Sequence, residues 1–280
     1  MTVETEIRGL IDSALAAHVV QYHTAAPPPP PPPPPSNPSG QAPPTGDLPG
    51  WVQTYVEDFN VDRPVGSFGP TGNAVPAEHA GKLRVYDEGW RDTAGSQGSD
   101  SRYSPTTVLS VENGCLVKRL YNRGQGGRSA AVVVGGNQLG GRYAVRMRAV
   151  ASQGWKTAFL LWPQSEVWPR DGEIDWPEGS IGGSIAGFMH RQGGTSGGDQ
   201  DYGSSTARHS DWHTYVIEWT AGRRCVMSVD GVVVLNSTSR VPSTPMRWVL
   251  QTETNIGNPR PANGAVGKLE VDWVALWRPA

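Results

Sequence analysis

Sulfur-containing residues are scarce in this chain. Only two of its 280 residues are cysteine, Cys115 and Cys225, and five are methionine. Two thiols exclude a disulfide-dense framework and a four-cysteine zinc site. One disulfide bridge and two separate buried thiols are both compatible with the sequence. We favour the separate thiols because free cysteine is among the most buried residue types.

Long apolar runs and a charge excess are also absent. The sequence contains no stretch of 18 apolar residues, so we expect no transmembrane helix and no membrane insertion. Lysine and arginine total 24 against 26 acidic residues, which gives a formal net charge of −2. This balance provides no electrostatic attraction to nucleic acid, and we expect no nucleic-acid partner.

Proline and glycine, in contrast, are abundant, and proline divides the chain. Residues 27–35 are nine consecutive prolines, and a segment rich in proline, serine and glycine follows up to Gly50. Such a stretch cannot form a core and favours an extended polyproline II linker. The sequence therefore predicts a helical head over residues 1–24, a proline-rich linker over 25–50 and a folded domain over 51–280.

The head has the pattern of one amphipathic helix. Ile7, Leu10, Ile11, Ala14 and Leu15 recur at helical spacing. A single helix cannot bury its own apolar stripe, so we expect the head to dock on another protein or to self-associate. A frayed tail without a partner is the alternative.

The head does not have the pattern of a signal peptide. Glu4 and Glu6 occupy the region that should be positively charged, and Asp12 interrupts the apolar stretch. We therefore recognise no signal peptide.

Beyond Gly50 the sequence predicts an all-β domain. Short strand-like runs such as "YAVRMRAV" and "HTYVIEW" are separated by turn residues, and "SVDGVVV" is a strong hairpin signal. Many short strands in one unit predict a sandwich or jelly roll. In "WVLQTET", alternation places Trp248 and Leu250 on one face and Gln251 and Glu253 on the other. That pattern suits a sheet with one face on the core and one lining a groove.

The stretch "WPRDGEIDWPEGS", residues 168–180, concentrates acidic side chains. Glu173 and Asp175 share a face of a strand, whereas Glu178, at an odd offset, would face the other side of a regular strand. A β-bulge near Pro177 would return Glu178 to the face of the other two acids. Bulges are among the places where sheets tolerate proline.

Acidic side chains that share one groove predict acid–base chemistry. Retaining glycoside hydrolysis uses two carboxyl groups about 5–5.5 Å apart, one as the nucleophile and one as the acid/base. A hydrogen bond between Asp175 and a glutamate would separate their pKa values. The alternative is three solvated carboxylates on an edge strand.

The motif "WPRDGEIDWPEG" resembles the signature of glycoside hydrolase family 16, in the bulged Glu-x-Asp-x-x-Glu form of the laminarinase-like and agarase-like branches. The resemblance covers nearly all of residues 51–280, because "YVEDFN", "GWKTAFLLWP", "DWHTYVIEW", "VDGVVV" and "VDWVALW" resemble strands of the family in the same order. It implies a concanavalin-like jelly-roll sandwich of two curved antiparallel sheets, with the cleft on the concave face.

The resemblance also implies roles for the three acids. Glu173 would be the nucleophile and Glu178 the acid/base. Asp175 would be the auxiliary acid that orients the nucleophile.

Substrate contacts are implied in the same way. Trp162 and Trp168 match family tryptophans near the sugar site, and ordinary core aromatics are the alternative reading of both. His190 matches a histidine that often follows the next strand, and Gln251 faces the predicted groove.

No cofactor is required for this chemistry, but the resemblance implies a structural calcium ion. Its ligands would be backbone carbonyls in the region of Glu57 and Asp58 and at Gly114, together with the side chain of Asp272, and hard oxygen ligands of this kind suit calcium. The alternative is that Asp272 is a plain carboxylate at the end of a strand.

The sequence therefore predicts a retaining endo-glycosidase that hydrolyses a β-linked polysaccharide, with β-1,3-glucan as first choice and a galactan as second. The alternative is a non-catalytic carbohydrate-binding or particle-associated structural module on the same fold. We expect an extracellular site of action, and the head and linker fit an enzyme carried on a larger particle such as a phage virion.

Overall fold

The computed structural model describes residues 2–23, 37–150, 152–257 and 259–280. The nine prolines lie outside the described residues, so the predicted linker conformation over 25–36 stays a prediction. The chain divides into two compact units, Met1–Ser36 and Asn37–Ala280, which are described separately below.

The first unit contains the predicted helix, α1, over Val3–His23. Three side chains of the predicted apolar stripe are exposed: Ile7, Leu10 and Ile11. The side chains of Ala14 and Leu15 lie outside the described residues. No helix within the described part of the chain is long and apolar enough to cross a membrane.

The second unit is built of β-strands. Its described residues contain seventeen of them: β1 (Trp51–Glu57), β2 (Leu83–Val85), β3 (Arg102–Tyr103), β4 (Leu109–Glu112), β5 (Cys115–Asn122), β6 (Gly127–Ser129), β7 (Ala131–Gln138), β8 (Gly141–Val150), β9 (Trp155–Pro163), β10 (Glu173–Ser180), β11 (Ile185–His190), β12 (Gln200–Ser205), β13 (His213–Thr220), β14 (Arg224–Val229), β15 (Val232–Ser237), β16 (Met246–Thr254) and β17 (Val266–Pro279). Two short helices, α2 (Thr93–Ser96) and α3 (Pro105–Val108), and a 3-10 turn (Ala77–His79) lie in the connections between β1 and β4.

The strands form two sheets. The ten-stranded sheet has the order β15-β14-β13-β8-β17-β5-β6-β3, with β1 also paired to β17 and β4 to β5. The seven-stranded sheet has the order β12-β11-β10-β9-β16-β7-β2. The strand pairs are antiparallel except for β3 and β6, which pair in parallel. The predicted all-β jelly-roll sandwich is confirmed.

The main core lies between the two sheets. On β9 the alternate residues Trp155, Phe159 and Leu161 are fully buried, and on β16 Trp248 and Leu250 are buried in the same core. The intervening residues of these two strands face the opposite side of the seven-stranded sheet, where some of them form a smaller apolar cluster. The alternation predicted for "WVLQTET" is therefore confirmed, and the second face of this sheet is free to line a groove.

The two cysteines do not pair. Cys115 on β5 and Cys225 on β14 are free, buried thiols, as we favoured from the sequence. Burial raises the pKa of Cys115 to about 12 and raises that of Cys225 as well. The thiolate, which is the reactive form, is therefore almost unpopulated at neutral pH.

Residues 37–50 belong to the folded unit, which corrects the predicted linker boundary. The backbone N–H and the hydroxyl of Ser39 donate hydrogen bonds to the carboxyl group of Asp272. The indole of Trp273 donates to the carbonyl of Gln41 at 2.9 Å. The local sequence predicts an extended segment, but its partners are side chains of β17, more than two hundred residues away in the chain.

This segment contacts one of the predicted calcium ligands. The carboxyl group of Asp272 accepts hydrogen bonds from Ser39, and Arg146 Nε donates to the Ser39 hydroxyl at 2.6 Å. Pro38 covers the turn at Gly114, since its ring lies 3.1 Å from the position that a Cβ on this glycine would take. Burial raises the pKa of Asp272 even though Ser39 and Asn37 donate hydrogen bonds to it. The calcium ion therefore stays a prediction.

Glu57 and Asp58 are also engaged elsewhere. The Glu57 carboxyl accepts a hydrogen bond from the backbone N–H of Phe59 and lies 3.2 Å from His79 Nδ1. Asp58 accepts a hydrogen bond from the side chain of Asn60. The predicted ligands in this region are backbone carbonyls, so these side-chain contacts leave that part of the prediction untouched.

Truncation of the chain tests whether the folded unit begins at residue 37 or at residue 51. A chain beginning at Asn37 is expected to unfold at the same urea concentration as the full chain. A chain beginning at Trp51 is expected to lose about 2 kcal/mol or more, because the hydrogen bonds of Asp272, Trp273 and Trp277 to this segment are lost, each worth about 0.5–1.5 kcal/mol. Equal stability of the two shortened chains would restore the linker as predicted.

Candidate active site

Strand β10 carries the three acids on the free face of the seven-stranded sheet. Asp175 pairs with Phe188 of β11 while Glu178 pairs with Ala186, so three steps along β10 match two along its neighbour. The same shift occurs against β9. The extra residue is the β-bulge that the sequence predicted, and it returns Glu178 to the face of Glu173.

The opposite face of β10 anchors the strand in the core. Ile174 and Trp176 are fully buried. The indole N–H of Trp176 donates to the carbonyl of Ser228 on β14 at 2.9 Å, which ties β10 to the other sheet. Because this contact satisfies the one polar atom of the indole, the strand that bears the acids is held rigidly.

A cleft of about 660 Å³ lies over the acidic face. It is lined by all seven residues that the sequence predicted to be catalytic or to bind substrate: Trp162, Trp168, Glu173, Asp175, Glu178, His190 and Gln251. Other residues complete its walls: Tyr86, Trp90, Thr93, Gln97, Lys156, Ala158, Leu160, Glu166, Arg247, Glu253 and Ile256. The predicted residues are therefore brought together.

Glu173 and Asp175 form a tightly coupled pair. Their side chains are only 12% and 5% exposed, and a carboxyl oxygen of each lies within 4.8 Å of one of the other. Burial raises the pKa of both groups. The charge of Asp175 raises that of Glu173 further, and the charge of Glu178 raises that of Asp175. Two carboxyl groups in contact in a buried site share one proton.

His190 holds this pair from β11. Its Nδ1 lies 2.9 Å from the carbonyl oxygen of Gly197, which can only accept, so Nδ1 carries the hydrogen. Its Nε2 therefore faces Asp175 Oδ2 at 3.3 Å and Glu173 Oε2 at 3.9 Å. The edge of the ring packs against Trp168, which is 40% exposed to the cleft.

The same trio is the candidate metal-binding group within the described residues. Ligand atoms of Glu173, Asp175 and His190 all lie within 4.8 Å of one another. The shared proton between the two carboxyl groups and the hydrogen-bonded imidazole account for this close packing, so the arrangement does not require a cation.

Glu178 forms an ion pair with a lysine on the neighbouring strand. Lys156 Nζ lies 2.6 Å from Glu178 Oε1 and 3.3 Å from Glu253 Oε1. Glu253 is almost completely buried and also accepts hydrogen bonds from Thr93 and Gln251. The third acid of the motif therefore lies beside a cation, whereas the first two share a buried site.

Trp162 and Gln251 face the cleft from β9 and β16. The indole of Trp162 donates to Glu166 at 2.7 Å, and Glu166 is paired with Arg247. Gln251 Nε2 donates to Glu253 at 3.1 Å. Trp162 is half-buried with part of its ring on the cleft, so it is not an ordinary core aromatic.

Most of the other cleft residues were missed by sequence reasoning, and Tyr86, Trp90 and Lys156 are the most prominent of them. Trp90 is 54% exposed and lies against Tyr86, which directly follows β2. Nothing in the local sequence of this loop predicts such a position. Lys156 could have been found, because it is the charged residue of the apolar run "GWKTAFLLWP" and alternates onto the same face as Trp162.

This arrangement suits hydrolysis of a bond in a polymer. Two glutamates lie on one strand face, one in a buried carboxyl pair and one beside a lysine. The cleft extends from Trp168 beside β11 to Trp90 beyond β2, across strands spaced about 4.8 Å apart. A groove of this extent accepts a chain of several units.

Comparison with known proteins agrees with this geometry. The model of the glycosyl hydrolases family 16 matches residues 99–275. No curated protein matches the chain.

Solved structures share the fold at low sequence identity. SCLam, a non-specific endo-β-1,3(4)-glucanase, is 20% identical over 85% of this chain and 94% of its own, with a TM-score of 0.65. The catalytic domain of a laminarinase from Thermotoga petrophila is 18% identical over 82% of this chain and 98% of its own, with a TM-score of 0.63.

A third structure comes from work on endo-acting O-glycanases that human gut bacteria use to initiate mucin breakdown. It is 22% identical over 84% of this chain and 94% of its own, with a TM-score of 0.65. These likenesses are evidence of fold, whereas the family match spans more than half of the sequence. The chain therefore belongs to glycosyl hydrolase family 16 and is a glycoside hydrolase that acts on O-glycosyl bonds.

Proposed function

We propose that the protein is a retaining endo-glycosidase whose first substrate is β-1,3-glucan. The observation that carries this proposal is the placement of Glu173 and Glu178 on one face of β10, over a cleft that crosses several strands. One glutamate lies in a carboxyl pair and the other beside a cation, which gives them different environments for two different roles.

In the proposed first step, Glu173 attacks the anomeric carbon and Glu178 gives its proton to the departing glycosidic oxygen. The carbon–oxygen bond breaks with its electron pair on the oxygen, and a glycosyl–Glu173 ester forms. In the second step, Glu178 takes a proton from water, the water oxygen attacks the anomeric carbon, and Glu173 leaves as a carboxylate. Two inversions at one carbon retain its configuration.

Asp175 and His190 prepare the nucleophile. The proton of the carboxyl pair resides on Asp175 when Glu173 attacks, and His190 Nε2 at 3.3 Å from Asp175 holds that carboxyl in place. Trp168, Trp162 and Gln251 would contact the sugar rings. Exposed indole faces pack against the apolar C–H faces of pyranoses, and the amide hydrogen-bonds to hydroxyls.

The choice of substrate is supported by the structural neighbours. Two of them are named for hydrolysis of β-1,3-linked glucans. A galactan is the second choice, and mucin O-glycans join it because of the third neighbour. An extracellular site of action follows from a polymeric substrate of this size.

The proposed function is tested by a reducing-sugar assay against laminarin, mixed-linkage glucan, agarose, arabinogalactan and mucin. Rapid release of oligosaccharides from laminarin supports an endo-acting β-1,3-glucanase. Release from agarose, arabinogalactan or mucin alone replaces the substrate but keeps the hydrolase. Binding of a polysaccharide without any hydrolysis would favour a carbohydrate-binding module.

Activity is expected to depend on pH through the carboxyl pair. Glu173 must be ionised to attack, so activity is lost as the pH falls below its pKa. Burial and the charge of Asp175 raise that pKa. The acidic limb of the profile of kcat/KM against pH is therefore expected above the value of about 4.3 for an ordinary glutamate. Asp175→Asn removes the neighbouring charge, so the limb is expected to move to lower pH while kcat/KM falls about 10- to 100-fold.

The control for this prediction is Asp171→Asn. Asp171 is equally buried but is paired with Arg170 and Ser165 outside the cleft. Its replacement is expected to leave the acidic limb in place. A limb that stays put in Asp175→Asn would show that the two carboxyl groups titrate independently.

A further inference from the structure

Lys156 is a cation in the cleft, and the binding of a neutral sugar does not require one. Its side chain is only 14% exposed and stands between two carboxylates, Glu178 at 2.6 Å and Glu253 at 3.3 Å. Burial lowers the pKa of Lys156, but the charges of Glu253 and Glu178 raise it by more, so the net pKa is raised. Lys156 is therefore a permanent cation at every pH at which the protein would work.

Glu253 is the buried partner of this cation. Burial raises the pKa of Glu253 above its ordinary value, and the donors that Lys156, Thr93 and Gln251 direct at its oxygens offset this only in part. When Glu253 is ionised, the Lys156–Glu253 pair is nearly neutral as a unit. Of these two charges, the ammonium group of Lys156 is the one in contact with Glu178.

We infer that Lys156 is a positioning residue for Glu178, which it holds and stabilises in the carboxylate form that arises each time the proton is given to the leaving oxygen. This inference rests on the proposed function of Glu178 as acid/base. The observed contact is that of the carboxylate form, in which Lys156 Nζ lies 2.6 Å from Glu178 Oε1. After the step, the new carboxylate accepts an N–H of Lys156, so the negative charge forms beside a preformed cation.

The other charged groups near Glu178 are either acidic, so that they disfavour its carboxylate form, or lie farther from it than Lys156. Asp175 and Glu173, on its own strand, are acidic and share a proton. His190 of β11 contacts those two acids, and Tyr202 of β12 lines a neighbouring pocket that Glu178 also borders. Lys156 of β9 is the cation in direct contact with Glu178, and Glu253 of β16 is the charge behind it.

Two isosteric variants give opposite expected results. The basic limb of kcat/KM reports the pKa of the acid in the free enzyme. Lys156→Met removes the cation, so the carboxylate is disfavoured and the basic limb is expected to move up by about one pH unit or more. Glu253→Gln leaves the cation unbalanced, so the basic limb is expected to move down. A merely structural role would not move the limb in opposite directions.

Further variants control for folding and for charge. Lys156→Met leaves Glu253 buried beside an apolar side chain, which can destabilise the protein. The double variant Lys156→Met/Glu253→Gln removes both charges, and its limb is expected to lie between those of wild type and Lys156→Met. Lys156→Arg is expected to keep the wild-type limb. Lys268→Met, which breaks a lysine–glutamate pair outside the cleft, is expected to change nothing.

A second readout separates this inference from the proposed function. The carboxyl carbon of Glu178, labelled with 13C and assigned by its loss in Glu178→Gln, can be titrated by NMR without turnover. Its midpoint is expected to rise in Lys156→Met and to fall in Glu253→Gln. If the wild type hydrolyses nothing, the proposed function fails but this titration still decides the role of Lys156. An active wild type with unmoved or parallel midpoints in the two variants would overturn the inference alone.

Discussion

Replacement of Glu173 by alanine is expected to reduce turnover by on the order of 10⁴- to 10⁶-fold on every substrate, whatever the leaving group. In the proposed mechanism Glu173 supplies the bond that splits the reaction into two steps, and its loss leaves no carboxyl group at that position of β10. The measurement is kcat on laminarin and on an aryl β-glycoside.

The matched control for this loss is Glu112→Ala. Glu112 is a partly exposed glutamate that pairs with Arg119, away from the cleft, and its removal is expected to leave kcat unchanged. Azide given to Glu173→Ala with an aryl β-glycoside is expected to occupy the vacated space and yield the α-azide, because a single displacement inverts the carbon. Wild-type activity in Glu173→Ala would remove this residue from the mechanism.

Replacement of Glu178 by alanine is expected to produce a loss that depends on the leaving group. General acid assistance contributes about 100- to 10,000-fold, so hydrolysis of a polysaccharide, whose leaving group is poor, should fall by that factor. An aryl glycoside with an acidic phenol leaves without help, so formation of the glycosyl–enzyme should be nearly unaffected. The measurement is kcat/KM across a series of aryl glycosides of decreasing phenol pKa.

The product formed with azide completes this test. In Glu178→Ala the water lacks a general base, so azide, which needs none, is expected to capture the glycosyl–enzyme and give the β-azide. A β-azide from Glu178→Ala together with an α-azide from Glu173→Ala supports the proposed roles. The opposite pairing would exchange them, and undiminished hydrolysis in both variants would contradict catalysis by either glutamate.

Local sequence was sufficient for most of the fold and for the composition of the site. The alternation of apolar and polar residues predicts β-strands, and in "WVLQTET" it also identifies the face that lines the cleft. The odd offset of Glu178 together with Pro177 predicted the bulge that the strand register contains. These features are encoded within a few residues, because side-chain direction along a strand has a period of two.

The N-terminal boundary of the folded unit was not readable from local sequence. Proline and glycine predicted an extended linker up to Gly50, but Ser39 and Gln41 bind side chains of β17. The same segment contacts Asp272, one of the predicted calcium ligands. Local composition indicates which backbone conformation a segment prefers. Whether residues 37–50 pack on the folded unit depends on side chains that are remote in the chain.

The sequence by itself determined that three acids share a strand face and that the strand belongs to an all-β sandwich. Only the tertiary structure decided what surrounds each acid. It buried Glu173 against Asp175 and placed Lys156 between Glu178 and Glu253, residues that lie on three different strands. The physical reason is that charge and burial act through space, so the pKa of a side chain is set by neighbours that strand pairing brings together from distant parts of the chain.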